Sequence, residues 1–223
     1  DMSLFWRLNK IGLLKVKGQK IMLQHGITEN YINMLKLKNT KLDLFVCGAQ
    51  PEYKFILENF GYNENNLKYT GFARYDNLLD HNEKNQILVM PTYRKWLNYT
   101  NNFEISDYYQ KWNSLINNNQ LIEYLEKNNI NLVFYPHYEI QKHINMFKSK
   151  SKNIIIADFN NYDVQQLLKE SKLLITDYSS VFFDFVYMNK PVIYYPFDIK
   201  QLRKKHYKEG YFNFSKNAFG KLL

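Results

Sequence analysis

Four short stretches of this sequence join an apolar run to side chains able to do chemistry. Leu173-Leu174-Ile175 breaks into Thr-Asp-Tyr-Ser-Ser, and apolar residues return at Val181, Phe182, Phe183 and Phe185. Ser179 and Ser180 can cap a helix starting there or donate to a phosphate, and Asp184 lies about one turn further on. The unpaired N–H groups and the dipole of such a helix start favour an anion. Pro91-Thr92-Tyr93-Arg94 offers a hydroxyl and a planar, permanently charged fork suited to phosphate oxygens. Pro136-His137 offers an imidazole that can bond a diphosphate or carry a proton near neutral pH. Gln24-His25-Gly26 offers another, well placed as a general base if it faces the same cleft from a second domain. Each has a plain structural alternative: an N-cap for the serines, a solvated or ion-paired loop arginine, a histidine bonded to backbone at a strand end.

These side chains meet only if their flanking elements bring strand ends together. The pattern predicts strands at 20–24, 42–47, 67–70, 87–90, 132–135, 154–157, 173–176 and 192–195. Between them it predicts helices at 28–37 with Thr28 as cap, 52–59 started by Pro51, segments within 105–128, then 138–148, 162–170 and 179–188. Strands of four or five apolar residues alternating with helices of about ten mean βαβ units and a parallel sheet covered on both faces. Ligands bind at the carboxyl edge of such a sheet, where Thr92, Arg94, His137, Asp177, Ser179, Ser180 and Asp198 are expected to collect. Residues 72–85 lose the apolar period and gather Asn, Asp, Lys and His, as a linker or crossover does. Residues 1–19 read weakly, as a short helix or a frayed edge. His143 falls on a helix surface, and neither His81 nor His206 is given a role.

The chain has 223 residues and a net charge of +9, which fits nucleic acid, an anionic membrane surface or a phosphate-bearing substrate. Its basic clusters, 15–20 and 203–208, are not interleaved with aromatic residues on one evident face, so nucleic acid is not expected. One cysteine, Cys47, allows no internal disulfide and fits a reducing compartment. No run of 18 or more apolar residues exists to span a bilayer. GxGxxG, the P-loop pattern and GxSxG are all absent. No Cys/His spacing suggests zinc, and Asp177, Asp184 and Asp198 lack a spacing that would call for Mg²⁺. Neither a metal nor a cofactor is expected. The chain begins at Asp1 and stops in mid-pattern at Lys-Leu-Leu, so it is expected to be a piece of a longer protein.

Taken in order, Gln24-His25-Gly26, Thr70-Gly71-Phe72-Ala73-Arg74-Tyr75-Asp76, Met90-Pro91-Thr92-Tyr93-Arg94, Tyr135-Pro136-His137 and Ile175 through Asp184 resemble the CDP-glycerol glycerophosphotransferase family. Pro191-Val192-Ile193-Tyr194-Tyr195 through Asp198 and Gly210-Tyr211-Phe212 also fit. Members of that family polymerise wall teichoic acid and related capsule polymers. The resemblance implies an α/β, GT-B-like fold with Rossmann-type parallel sheets in two domains. Residues 1–75 would be a partial, acceptor-side N-terminal domain, 76–85 a linker, and 86–223 the domain that binds the nucleotide donor.

The resemblance further implies that His25 removes the proton from the acceptor hydroxyl. Thr92, Arg94, His137, Ser179 and Ser180 would hold the donor diphosphate. Asp177 and Asp184 would orient the loop and bind a ribose or polyol hydroxyl. The partners implied are CDP-glycerol or a related CDP-polyol and an anionic polymer or lipid-linked acceptor. The implied location is cytoplasmic, at the inner face of the membrane. A GT-B enzyme using a nucleotide sugar is the alternative enzyme reading.

Overall fold

The computed structural model describes residues 17–79, 82–99 and 102–223. The expectation for 1–19 falls almost wholly outside these residues, as does His81. Two parallel sheets organise the chain. The smaller has the order β1-β2-β3, from Ile21–Met22 (β1), Leu44–Cys47 (β2) and Leu67–Tyr69 (β3). The larger has the order β6-β5-β4-β7-β8-β9, from Gln86–Met90 (β4), Asn131–Phe134 (β5), Ile154–Ile156 (β6), Leu173–Thr176 (β7), Val192–Tyr194 (β8) and Lys221–Leu222 (β9). Every pairing in both sheets is parallel, so all strand ends of one sheet share an edge.

The period of two in the large sheet sorts its side chains onto two covered faces. Leu88, Val133 and Leu174 face one core, with Leu168, Phe182, Phe185 and Leu202. Ile87, Val89, Leu132, Phe134 and Ile175 face the other, with Tyr108, Trp112 and Leu125. The helices that cover these faces start at expected residue types. Ser106 caps α3 (Asp107–Ile116), Asn118 caps α4 (Asn119–Lys127) and Asp163 caps α5 (Val164–Glu170), each accepting from a backbone N–H in the first turn. In the small sheet, Phe45, Cys47 and Leu67 pack on Ile56 and Phe60 around α2 (Gln50–Asn59), whose first turn carries Pro51.

Several expected elements differ. The helix at 28–37 is absent, because Thr28 is held as a loop residue. Its N–H donates to the buried Glu52 carboxylate at 2.6 Å, and its hydroxyl accepts from Gln24 at 2.7 Å. Helical turns come later, a 3₁₀ turn at Asn33–Leu35 and the short α1 at Leu37–Thr40. Residues Tyr138–Met146 form successive 3₁₀ turns, not an α-helix. Helix α6 spans Phe182–Tyr187, starting three residues after the expected cap position. In the stretch read as a linker, a 3₁₀ helix at Ala73–Leu78 buries Tyr75 and Leu78 in the core shared with the large sheet. Two further helices, α7 (Ile199–Lys205) and α8 (Phe214–Asn217), precede β9.

Candidate active site

A cavity of about 600 Å³ opens at the carboxyl edge of the large sheet, where the loop after β1 reaches across to it. Its lining includes His25, Thr92, His137, Ser179, Ser180 and Asp184, brought from loops that lie far apart in sequence. Arg94 and Asp177 are not among the lining residues; both are fully buried just beneath.

The His25 loop is fixed from three sides. Gln24 turns the chain at φ 53°, a left-handed conformation rare for a non-glycine residue. Glu52, in the first turn of α2, accepts from the N–H of Thr28 through Oε1 and of Gly48 through Oε2, at 2.6 and 2.7 Å. At Gly26 a Cβ would stand 3.1 Å from Ser180 Oγ, so a side chain there would crowd the serine. The glycine beside the histidine therefore lets the two loops approach, and His25 itself stays exposed to the cleft.

His137 enters from the end of β5. Its Nδ1 accepts from the N–H of Glu139 at 3.2 Å, which leaves Nε2 as the donor of the neutral ring. Tyr93 stacks on that ring with centroids 5.4 Å apart. Loss of solvation holds the imidazole below its usual pKa; the nearby His25 adds to this, while Glu139 opposes it. His137 is therefore a neutral hydrogen-bond donor at pH 7. The Thr92 hydroxyl is buried and has no partner, a donor without a bond at the cavity wall. Ser179 and Ser180 offer only their carbonyls to α6, to the N–H groups of Phe182 and Phe183 at 3.1 Å each. No side-chain bond caps this helix, so the serine hydroxyls are not used as caps.

Arg94, expected at the diphosphate, is buried outside the cavity lining. Its Nε and Nη2 hold both oxygens of Asp198 at 2.8 and 2.9 Å, Nη2 also holds Asp177 at 2.7 Å, and Nη1 donates to the Thr92 carbonyl at 2.6 Å. Asp177 in turn accepts from the N–H groups of Thr92 and Tyr178 through Oδ1. The guanidinium thus ties together the loops after β4, β7 and β8. Burial opposes its charge, but Asp177 and Asp198 more than compensate and raise its pKa.

The cation that reaches the cleft is Arg74, which sequence reasoning quoted in a motif but gave no role. It pairs fork to fork with Asp184 at 2.7 and 2.8 Å, and its side chain remains 32% exposed. Glu29 was also missed. It is buried at the cleft, with Oε1 accepting from Asn30 at 3.1 Å and Oε2 unpartnered. Burial pushes its carboxyl up to about 8, against the Asn30 bond and Arg203, so it is largely neutral at pH 7. Arg74 stands in the Thr70–Asp76 motif, which could have drawn attention to it, whereas Glu29 has no local pattern that separates it from surface charge. Among the described residues no group of three or more His, Cys, Asp or Glu is placed to hold a metal ion. Asp177, Asp184 and Asp198 each accept from an arginine.

A family model described as CDP-Glycerol:Poly(glycerophosphate) glycerophosphotransferase matches residues 8–223. The chain belongs to this glycerophosphotransferase family. Among curated relatives, the minor teichoic acid biosynthesis protein GgaB of Bacillus subtilis (strain 168) is 39% identical over 216 residues, covering 91% of this chain and 23% of its own length. The teichoic acid glycerol-phosphate primase of the same organism is 29% identical over 201 residues, covering 90% of this chain and 51% of its own. The chain therefore spans about half or less of the length of those two relatives. Among solved structures, the wall teichoic acid polymerase TagF superposes with a TM-score of 0.67 at 21% identity, covering 94% of this chain and 56% of TagF. That likeness gives the fold, GT-B-like with parallel α/β sheets.

Proposed function

We propose that this chain carries the reaction centre of a transferase that moves glycerol phosphate, or another polyol phosphate, from a CDP-activated donor to a growing teichoic-acid-like or capsular polymer. His25 takes the proton of the acceptor hydroxyl. The freed oxygen attacks the phosphorus that bears the polyol, a new P–O bond forms, and the bond to CMP breaks, with CMP leaving as the anion. Such a step asks the protein mainly for position and for charge around the moving phosphoryl group. Here that is a neutral imidazole Nε2–H at His137, the hydroxyls of Thr92, Ser179 and Ser180, and the positive charge of Arg74. Asp184 holds Arg74 in place, and Arg94 with Asp177 fixes the loops without touching the donor.

The observation that carries this reading is the shared cavity. Five side chains able to donate or accept a proton or hydrogen bond, His25, Thr92, His137, Ser179 and Ser180, come from four separate loops and face one space of about 600 Å³. Residues 1–75 and 86–223 would then act as acceptor side and donor side, joined through 76–85. A net charge of +9 suits an anionic polymer and a site at the inner face of an anionic membrane. No helix among the described residues is long and apolar enough to cross that membrane.

Full-length protein supplied with CDP-glycerol or CDP-ribitol and a validated polymer acceptor should release CMP. No CMP from either donor, in a preparation that is folded by thermal melting, would remove this assignment.

A further inference from the structure

A second cavity, of about 770 Å³, lies at the carboxyl edge of the small sheet. Gly48 follows β2 and Thr70 and Gly71 follow β3, and α6 closes the far side with Phe183, Val186 and Tyr187. It is separate from the His25 cleft but adjoins it, since Ile27 lines both. The Arg74 guanidinium, 4.7 Å from the Tyr75 ring centroid, backs the wall between them. No activity described above uses this space.

Its chemistry is opposite to that of the cleft. In a chain of net charge +9, its lining holds one carboxylate, Asp76, and no Lys, Arg or His. A phosphate placed there meets the Asp76 carboxyl group and no cation in the lining. Two of its rings are open to solvent, Tyr69 at 54% and Tyr187 at 44%, and the rest of the lining is largely aromatic or aliphatic. Rings beside a carboxylate and a threonine hydroxyl suit a neutral ligand with a flat C–H face and several hydroxyls. A sugar ring has both, whereas a linear polyol has no flat face to lay on a tyrosine. Concave sites that combine aromatic walls with a few convergent polar groups are the usual form of small-ligand pockets.

We propose that this cavity binds a neutral pyranose unit of the acceptor, stacked on Tyr187 or Tyr69 with hydroxyls bonded to Asp76 and Thr70. Its position beside the His25 cleft, with Ile27 lining both, lets the same acceptor molecule present its reacting hydroxyl to the base. The word acceptor rests on the function proposed above; the sugar site itself rests on the cavity alone.

The test uses the whole 223-residue chain. Methyl β-D-glucopyranoside is the probe, read by saturation-transfer NMR, with CDP titrated separately by calorimetry. The ring protons of the glucoside should receive saturation in the wild type. Tyr187→Ala and Asp76→Asn should each weaken that binding about tenfold, the scale of a lost aromatic or polar contact, and leave CDP affinity within about twofold. Glycerol 3-phosphate should not displace the glucoside. The proposal is overturned if the glucoside shows no saturation transfer, if both variants bind it as the wild type does, or if CDP displaces it. Glucoside binding that follows these variants while CDP fails to bind supports the sugar site and sinks the donor reading, so the two failures are distinguishable.

Discussion

Two arginine–aspartate pairs stand at the same edge of the molecule, and they differ in one physical respect. Arg94 is fully buried, with four hydrogen bonds to Asp177, Asp198 and a backbone carbonyl. Arg74 is about one-third exposed, and Asp184 takes only one side of its fork. A guanidinium buried away from the cavity and held by four hydrogen bonds is not presented to a ligand there. A half-open one keeps charge available while its partner fixes its direction. The same residue pair thus serves as a clamp in one place and as a presented charge in the other.

Removing the clamp should have the largest effect. Arg94→Met leaves Asp177 and Asp198 buried without a cation, and losing one member of a buried pair costs about 3–5 kcal/mol. Thermal melting should show this as a large fall in Tm, with activity lost alongside. A variant that melts like the wild type would show that the loops do not depend on the clamp. At Arg74 the contrast should invert. Arg74→Ala should lower CDP-glycerol turnover on the order of a hundredfold, as loss of a charge-stabilising donor does. Its effect on stability should be smaller than that of Arg94→Met, because one buried carboxylate, Asp184, loses its cation instead of two and Arg74 itself is part-exposed. Equal losses of stability and turnover would erase the distinction between the pairs.

Two pH effects sharpen it further. Glu29 has a folded pKa of about 8 against an ordinary 4.5, so the folded state favours its neutral form. That advantage is complete below about pH 4.5 and is lost as pH rises toward and through 8. Glu29→Gln keeps the shape without the charge, and should therefore stabilise the fold more at pH 8.5 than at pH 5, by roughly 4 kcal/mol, read as a larger rise in Tm at the higher pH. An equal shift at both values would mean the carboxyl is not held neutral. His206 is pushed down to about 4, first by burial and then by the charges of Arg94 and Lys95. The folded state binds fewer protons than the unfolded one between about pH 4 and 6.5, so stability falls as pH drops through that window. His206→Gln should flatten the melting profile there, and an unchanged slope would contradict this. The smallest effect on folding is expected from Thr92→Val. Its hydroxyl has no partner to lose, so Tm should hold or rise slightly while CDP affinity falls about tenfold.

Strands β4 to β8 of the large sheet were legible because both faces are covered, so each reads as a short apolar run, whereas the two-residue β9 has no such run and was not expected. Pro91 and Pro136 also mark strand ends, beside Thr92 and His137. The cleft residues at those ends were legible for the same reason: a parallel sheet puts every loop after a strand on one edge. What could not be read is what depends on pairing across the fold. Whether Arg94 meets a ligand or Asp198 depends on a contact 104 residues away along the chain. Thr28 has the composition of a helix cap, but Glu52 claims its N–H across 24 residues, and the expected helix does not form. The serines after β7 look like caps and do not act as caps, because α6 begins at Phe182. Arg74 stands within the Thr70–Asp76 motif and Glu29 in a stretch with no period to mark it, and only the folded chain sets both against the cleft.

A crystal soaked with CDP tests the central claim most directly. The account predicts a diphosphate in the cleft, within hydrogen-bond reach of His137 Nε2, the Thr92 hydroxyl and Ser180, with Arg74 turned toward it and the Arg94 bonds to Asp177 and Asp198 intact. A diphosphate seated away from these residues, or one that draws Arg94 off its aspartates, would contradict it.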